Sequence, residues 1–232
     1  EFDAQGVQLP LEKFVFAMPL SLDTLALYYN KDLLASADIA EPAKTWTEFK
    51  DHSQRLTNSS NIAANYRISQ SGGALGTSNN VNYYSDILAA LMMQNGALMF
   101  DEQGTSVLFH QNPPGSSFGA PPSIDAVDFY TSFASPVRDT YSWNEDLPNS
   151  LDAFTQGTTA YYFGYADDYD RIKEKSPKLS FSVGNLPQVA GNRLANIAQF
   201  RVQTVSQKSE NSDYAWDFLQ FATRIDNLER YL

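Results

Sequence analysis

The sequence predicts an α/β protein, and three observations carry the prediction. Short β-rich apolar runs such as Leu25–Tyr29 and Thr158–Phe163 alternate with segments of helical periodicity that have their own start and stop signals. An apolar segment, Phe14 to Leu20, passes through a polar step holding one carboxylate, Asp23, into the run Leu25–Tyr29, which Asn30 and Lys31 stop. Two strands in near-immediate succession with an acid at the joint suit a chain crossing from one body to another, and clefts form preferentially between domains. A chain of 232 residues, 43% of them hydrophobic, can build a substantial core.

In chain order, Phe14–Met18 reads as a buried strand and Leu25–Tyr29 as the next, with Asn30-Lys-Asp turning into a short helix at Leu33–Ala37. Pro42 marks a loop. Thr45 and Glu48 form a capping-box pattern that starts a helix to about Thr57, with Phe49 and Leu56 on one face and Trp46 as its anchor. A strand is expected near Ala64–Ile68, then a glycine-bearing loop over Ser71–Asn80. No Lys-Ser/Thr follows those glycines, so they do not read as a phosphate loop.

Tyr84, Ile87, Leu88, Leu91 and Met92 have helical spacing, with Asn95-Gly96 as C-cap. Asn80, Asn82 and Tyr83 stand at the mouth of that helix, where free amides and side chains can meet a ligand. Leu98–Phe100 and Val107–Phe109 flank a four-residue turn and read as a hairpin, followed by a Pro- and Gly-rich loop over Gln111–Pro122.

Ser123 is expected to cap a helix to Phe133, and Ser150 a helix to Gln156, which Gly157 stops before the strand Thr158–Phe163. Gly164-Tyr-Ala-Asp-Asp-Tyr-Asp170 then opens an acidic helical turn at a strand end. There acids complement the helix dipole and ligands gather in open α/β sheets, so Tyr165 is a candidate ligand contact, and Asp167 and Asp168 read equally as ligand contacts or as caps of the helix. Leu179, Phe181 and Val183 alternate as a strand, Asn196–Val205 is extended, and Ser212 starts a last helix with Ala215, Trp216, Phe218, Leu219 and Ala222 inward.

Composition excludes several classes. A net charge of -11 argues against nucleic acid or an anionic membrane surface as partner. Absence of cysteine removes disulfides, thiolate metal sites and thiol catalysis. His52 and His110 are isolated from each other and read as structural, so neither a metal nor a cofactor is expected.

The stretches ALYYNKDLL, PAKTWTEF, AFTQGTTAYYFGY, SVGNLPQ and YAWDFLQFAT occur in this order between Ala26 and Thr223. In that order they resemble the extracellular solute-binding proteins of ABC importers, in the sugar-binding branch typified by the maltodextrin-binding proteins. The resemblance implies a two-lobed, periplasmic-binding-protein-like fold. Residues 1–20 would be the end of the first lobe and the first crossover, 21–196 the second lobe, and 197–232 the second crossover and return. The family carries about a hundred further residues before the first motif, so the chain reads as a fragment lacking most of the first lobe. The resemblance makes Asp23 the hinge-side acid and puts Trp143, in Tyr-Ser-Trp-Asn, on a loop facing the cleft. It makes the strand with Gln199 and Arg201 the return crossing, although many relatives have an aromatic-rich run there.

Sugar recognition calls for flat aromatic faces plus planar amides and carboxylates, and Asp23, Asn80, Asn82, Tyr83, Trp143, Tyr165 and Asp167 supply such a set. The resulting expectation is a monomeric, extracellular or periplasmic binding component, tethered as a lipoprotein. It would close around a sugar and be read by an ABC permease. Two alternatives stand beside it: a glycoside hydrolase using Asp23 and Asp168, for which no catalytic signature is evident, and a binding protein for a peptide or polyamine. A plain interaction domain would bind no small ligand at all.

Overall fold

The computed structural model describes residues 15–62, 65–115 and 119–231. The expected strand starts at Phe14 and Ala64, and part of the loop expected over Gln111–Pro122, lie outside them. The strands are β1 (Met18–Thr24), β2 (Ala26–Asn30), β3 (Asn58–Ile62), β4 (Asn65–Gly73), β5 (Thr159–Gly164), β6 (Phe181–Asn185) and β7 (Ala198–Gln203). The helices are α1 (Lys31–Ser36), α2 (Trp46–Leu56), α3 (Tyr84–Gln94), α4 (Pro122–Ser132), α5 (Ser150–Thr155), α6 (Asp167–Lys175), α7 (Ser212–Ala222) and α8 (Ile225–Tyr231). The chain divides into two compact units, Thr24–Ile197 and a smaller one made of Glu1–Asp23 with Ala198–Leu232.

The larger unit is built on a mixed five-stranded sheet in the order β3-β4-β5-β2-β6. β2 is antiparallel to both β5 and β6, and β4 runs parallel to β5. Every residue of β5 is buried because helices cover both faces, which explains its unbroken apolar run. Strand alternation sorts β2 and β5 onto two cores. Leu27, Tyr161 and Phe163 face Trp46 and Phe49 of α2, while Tyr28 and Tyr162 face Phe154, Ile172 and Phe181.

The capping box forms as the sequence expects: Thr45 Oγ1 accepts from the Glu48 amide at 3.2 Å, and Glu48 reaches back to the Thr45 amide. Trp46 is an anchor, its indole N–H donating to Gln94 Oε1 at 2.7 Å. Other boundaries move. α4 starts at Pro122, preorganised for a first turn, so Ser123 sits inside the helix and does not cap it, and Val127 is exposed. Asn149, not Ser150, caps α5 by accepting from the Leu151 amide. The expected loop at Ser71 begins three residues later, at Ala74, because Ser71 and Gly73 pair with β5. The 98–109 segment makes one isolated bridge, Phe100 to Val107, in place of a ladder; Asp101 holds its turn by accepting from the Thr105 amide and hydroxyl.

The smaller unit pairs β1 with β7 in a two-stranded sheet and carries α7 and α8. Val15 and Phe16, expected in a buried strand, are 67% and 79% exposed and precede β1. No residue of α7 is buried, and Phe218, expected inward, is exposed. So little chain cannot surround a helix with its own core.

His52 Nδ1 lies 2.8 Å from the Tyr161 hydroxyl, with the two rings nearly parallel. Burial raises the Tyr161 pKa and keeps its phenol protonated. Burial, with Arg55 as a second cause, lowers the His52 pKa. The folded state therefore resists a proton that the unfolded chain accepts near pH ~6.5. The stabilisation is full above that pH and is lost as pH falls from there toward the folded value. Between pH ~7.5 and ~5.5, the urea midpoint should drop more in the wild type than in His52→Gln; equal drops would show that His52 is not responsible.

Candidate ligand-binding site

The candidate site lies in the larger unit, where β5 ends and the first turns of α3 and α6 meet. Tyr83, at the N-cap position of α3, holds the left-handed backbone conformation (φ 56°, ψ 25°). That conformation costs a non-glycine residue roughly 1–2 kcal/mol, and strain of this kind concentrates at functional sites. Its half-buried ring meets the edge of Tyr165, the residue after β5, with centroids 5.0 Å apart and planes at 89°. That contact brings the starts of α3 and α6 together.

Beneath the pair lies a hydrogen-bonded network. Asp168, in the first turn of α6, is fully buried and accepts from the Tyr162 hydroxyl at 2.7 Å. Arg171 Nη1 stands 3.4 Å from its other oxygen. Burial and then the Asp168 charge push the Tyr83 pKa up to about 12 and raise that of Tyr162 further. Both phenols therefore stay protonated. The Tyr165 hydroxyl donates to Asp86 Oδ2 at 2.8 Å, and its backbone carbonyl accepts from Tyr28 at 2.6 Å. Gly164 is required here, since a Cβ would stand 2.6 Å from both Asp168 Oδ2 and the Tyr162 ring.

Asn82 joins the network: its Nδ2 donates to the Tyr162 hydroxyl at 3.3 Å, and its Oδ1 accepts from Asn149 at 2.7 Å. Asp167 lies exposed at the start of α6. Asn82, Tyr83, Tyr165 and Asp167 are thus gathered around one spot. Asn80 and Trp143 serve the interior instead. The Trp143 indole is fully buried and donates to Asn80 Oδ1 at 2.9 Å, while Asn80 Nδ2 donates to the carbonyls of Asn144 and Leu147. With both amide hydrogens and the oxygen engaged, Asn80 holds the 144–147 loop, and Trp143 presents no face to solvent.

Asp23 on β1 is half-buried, and Gln199 and Arg201 on β7 are exposed; all three belong to the two-stranded sheet of the smaller unit. Sequence reasoning missed Asp86, Tyr162, Asn149 and Arg171. Asp86 had a usable signal, an acid in the first turn of a helix whose N-cap was already a candidate. Among the described residues no three His, Cys, Asp or Glu side chains converge as a metal site, and no helix is long and apolar enough to cross a membrane.

The family model of the bacterial extracellular solute-binding proteins matches residues 3–232. A Brucella abortus chain named as a binding protein is 25% identical over 221 residues, covering 93% of this chain and 48% of its own length. YcjN of Escherichia coli, named as an ABC transporter periplasmic-binding protein, is 27% identical over 214 residues, covering 91% of this chain and 44% of its own. The chain thus spans about half the length of the curated relatives it matches. Among solved structures, a Thermotoga lettingae ABC transporter solute-binding protein bound with α-D-tagatose superposes with a TM-score of 0.67 at 20% identity. It covers 95% of this chain and 53% of that one. The maltose-bound MalE3 of T. maritima gives 0.65 at 18%, covering 92% and 51%. At such identities the likeness shows a shared fold, the periplasmic-binding-protein-like one that the sequence motifs resemble. The match over residues 3–232 goes further: this chain belongs to the bacterial extracellular solute-binding protein family.

Proposed function

We propose that the chain is part of the substrate-binding component of an ABC importer and that it takes a sugar or oligosaccharide against the Tyr83–Tyr165 wall. The observation that carries the reading is this edge-to-face pair at two converging helix starts, with the Tyr165 hydroxyl held by the half-buried Asp86. Such a pair offers the half-buried Tyr83 ring, backed by the buried Tyr165, to the apolar side of a sugar ring, beside polar groups that can meet hydroxyls. Neighbours of the same fold with tagatose or maltose bound support the same ligand class. Asp23, Gln199 and Arg201 remain proposed contributors from the smaller unit. The partner would be a permease, the location extracellular or periplasmic with lipoprotein tethering, and the role binding without catalysis.

The test uses the polypeptide as its gene encodes it, incubated with neutral mono- and oligosaccharides, peptides and polyamines, reading thermal shift and hydrolysis together. A shift with one sugar and no turnover is the expected result. Turnover would favour a glycoside hydrolase, and a shift with peptide or polyamine alone would reassign the ligand. Tyr83→Ala should weaken the sugar that binds roughly tenfold, about 1.4 kcal/mol, the upper range for one aromatic contact. Calorimetric titration checks this, and unchanged affinity would remove Tyr83 from the site.

A further inference from the structure

Resting on that reading, we infer that Asn149 and Ser150, at the start of α5, are positioning residues for the Tyr83 ring: they lock Asn82, and through it hold Tyr83 in the left-handed conformation that sets its ring against Tyr165. A lone left-handed residue costs about as much as one or two net hydrogen bonds are worth. It persists only where its surroundings over-determine it. The Tyr83 carbonyl already accepts from the Asp86 and Ile87 amides, so its C-terminal side is fixed to α3. Rotation of Tyr83 into the ordinary helical region would add a residue to α3 and swing Asn82, with the chain before it, to a new direction. Whatever holds Asn82 therefore opposes the rotation.

Asn82 is held at three points. Its backbone N–H donates to Ser150 Oγ at 2.9 Å, its Oδ1 accepts from Asn149 Nδ2 at 2.7 Å, and its Nδ2 donates to the Tyr162 hydroxyl at 3.3 Å. Two of the three come from the start of α5, where the Ser150 N–H also donates to the Asn80 carbonyl at 2.8 Å. The frame behind them is firm: Ser150 is 1% exposed, and Ala153 and Phe154 of the same helix are fully buried. Asn149 caps α5 by accepting from the Leu151 amide, so one side chain fixes both the helix start and Asn82. Neither residue needs to touch the ligand to set where Tyr83 stands.

The experiment uses the full polypeptide. Ser150→Ala removes the acceptor of the Asn82 N–H, and Asn149→Asp keeps the α5 cap while losing the amide donor. An edge-to-face pair puts protons of one ring over the face of the other, whose ring current moves their NMR resonances upfield. Both variants should lose that displacement well below their unfolding midpoints. Calorimetric titration with the sugar that binds should show affinity weakened ~3–10-fold, the size of one lost hydrogen bond, with no further loss when either change is added to Tyr83→Ala. Should Ser150→Ala not fold, the half-buried Asn149 carries the same test through Asn149→Asp. A lower unfolding midpoint with ring resonances and affinity as in the wild type overturns the inference and leaves α5 as support for the core. An equal loss of affinity in the Tyr83→Ala background also overturns it, because the clamp would then act through another group. If no sugar binds, the sugar reading falls and the ring resonances alone decide the placement of Tyr83: a displacement that survives both variants refutes it, and one lost in both upholds it.

Discussion

Phe49→Ala will destabilise the unit Thr24–Ile197 by about 3–5 kcal/mol, the range for emptying a packed aromatic site, against a total of roughly 5–15 kcal/mol for a domain. Phe49 is fully buried, and its ring packs against Trp46, Phe133, Tyr161 and Phe163 at centroid distances of 5.3–5.6 Å. These four come from α2, from the residue that ends α4, and from β5, so the lost contacts are those that join helix layer to sheet. Urea unfolding would show the loss as a lower midpoint at nearly constant slope.

The same site supplies an internal control. A Cβ on Gly73 would stand 2.5 Å from Phe49 Cζ, so Gly73→Ala alone should cost about 1–3 kcal/mol by overpacking. In the Phe49→Ala background the clash partner is gone, and the second substitution should be close to neutral. The cycle would then give a coupling of about 1–3 kcal/mol. Additive costs would mean that the ring does not occupy that space.

Much of this core was readable from the chain. The capping box, the seven-residue spacing of Phe49 and Leu56, and the unbroken apolar run of β5 depend on neighbours within one or two turns, where local rules dominate. Choices between adjacent residues were not readable. Ser123 and Ser150 are good capping types, yet Pro122 and Asn149 set the helix starts, because a residue's capping tendency cannot say which of two neighbours stands at the boundary. Exposure of Val15, Phe16 and Phe218 likewise depends on how much chain is available to cover them.

The site divides in the same way. That Tyr83 and Tyr165 stand near ligand-competent positions followed from a helix start and a strand end. That they touch, and that Asp168 is buried while Asp167 is exposed, depends on contacts spanning up to 82 positions. Trp143 carries the opposite lesson. An aromatic on a predicted loop reads as a ligand platform, but here Asn80 satisfies its indole N–H inside the core.

Asp168→Ala should damage stability and binding together. The substitution removes the acceptor of the buried Tyr162 hydroxyl. Leaving such a donor unanswered costs about 1–3 kcal/mol. Arg171 adds little, since its side chain is largely exposed and a pair of that kind is weak. Tyr162 also takes the amide of Asn82, the residue before the strained Tyr83, so a displaced Tyr162 should leave the Tyr83 ring no longer edge-to-face with Tyr165. Affinity for the sugar should fall roughly tenfold beyond any effect of unfolding, a change of about 1.4 kcal/mol. Asp168→Asn keeps one acceptor in its carbonyl, so it should recover part of the stability and of the affinity. Unfolding midpoints and calorimetric titrations of both variants, run below the lower transition, decide the matter. If Asp168→Ala folds as stably as the wild type and binds as well, Asp168 does not hold the wall.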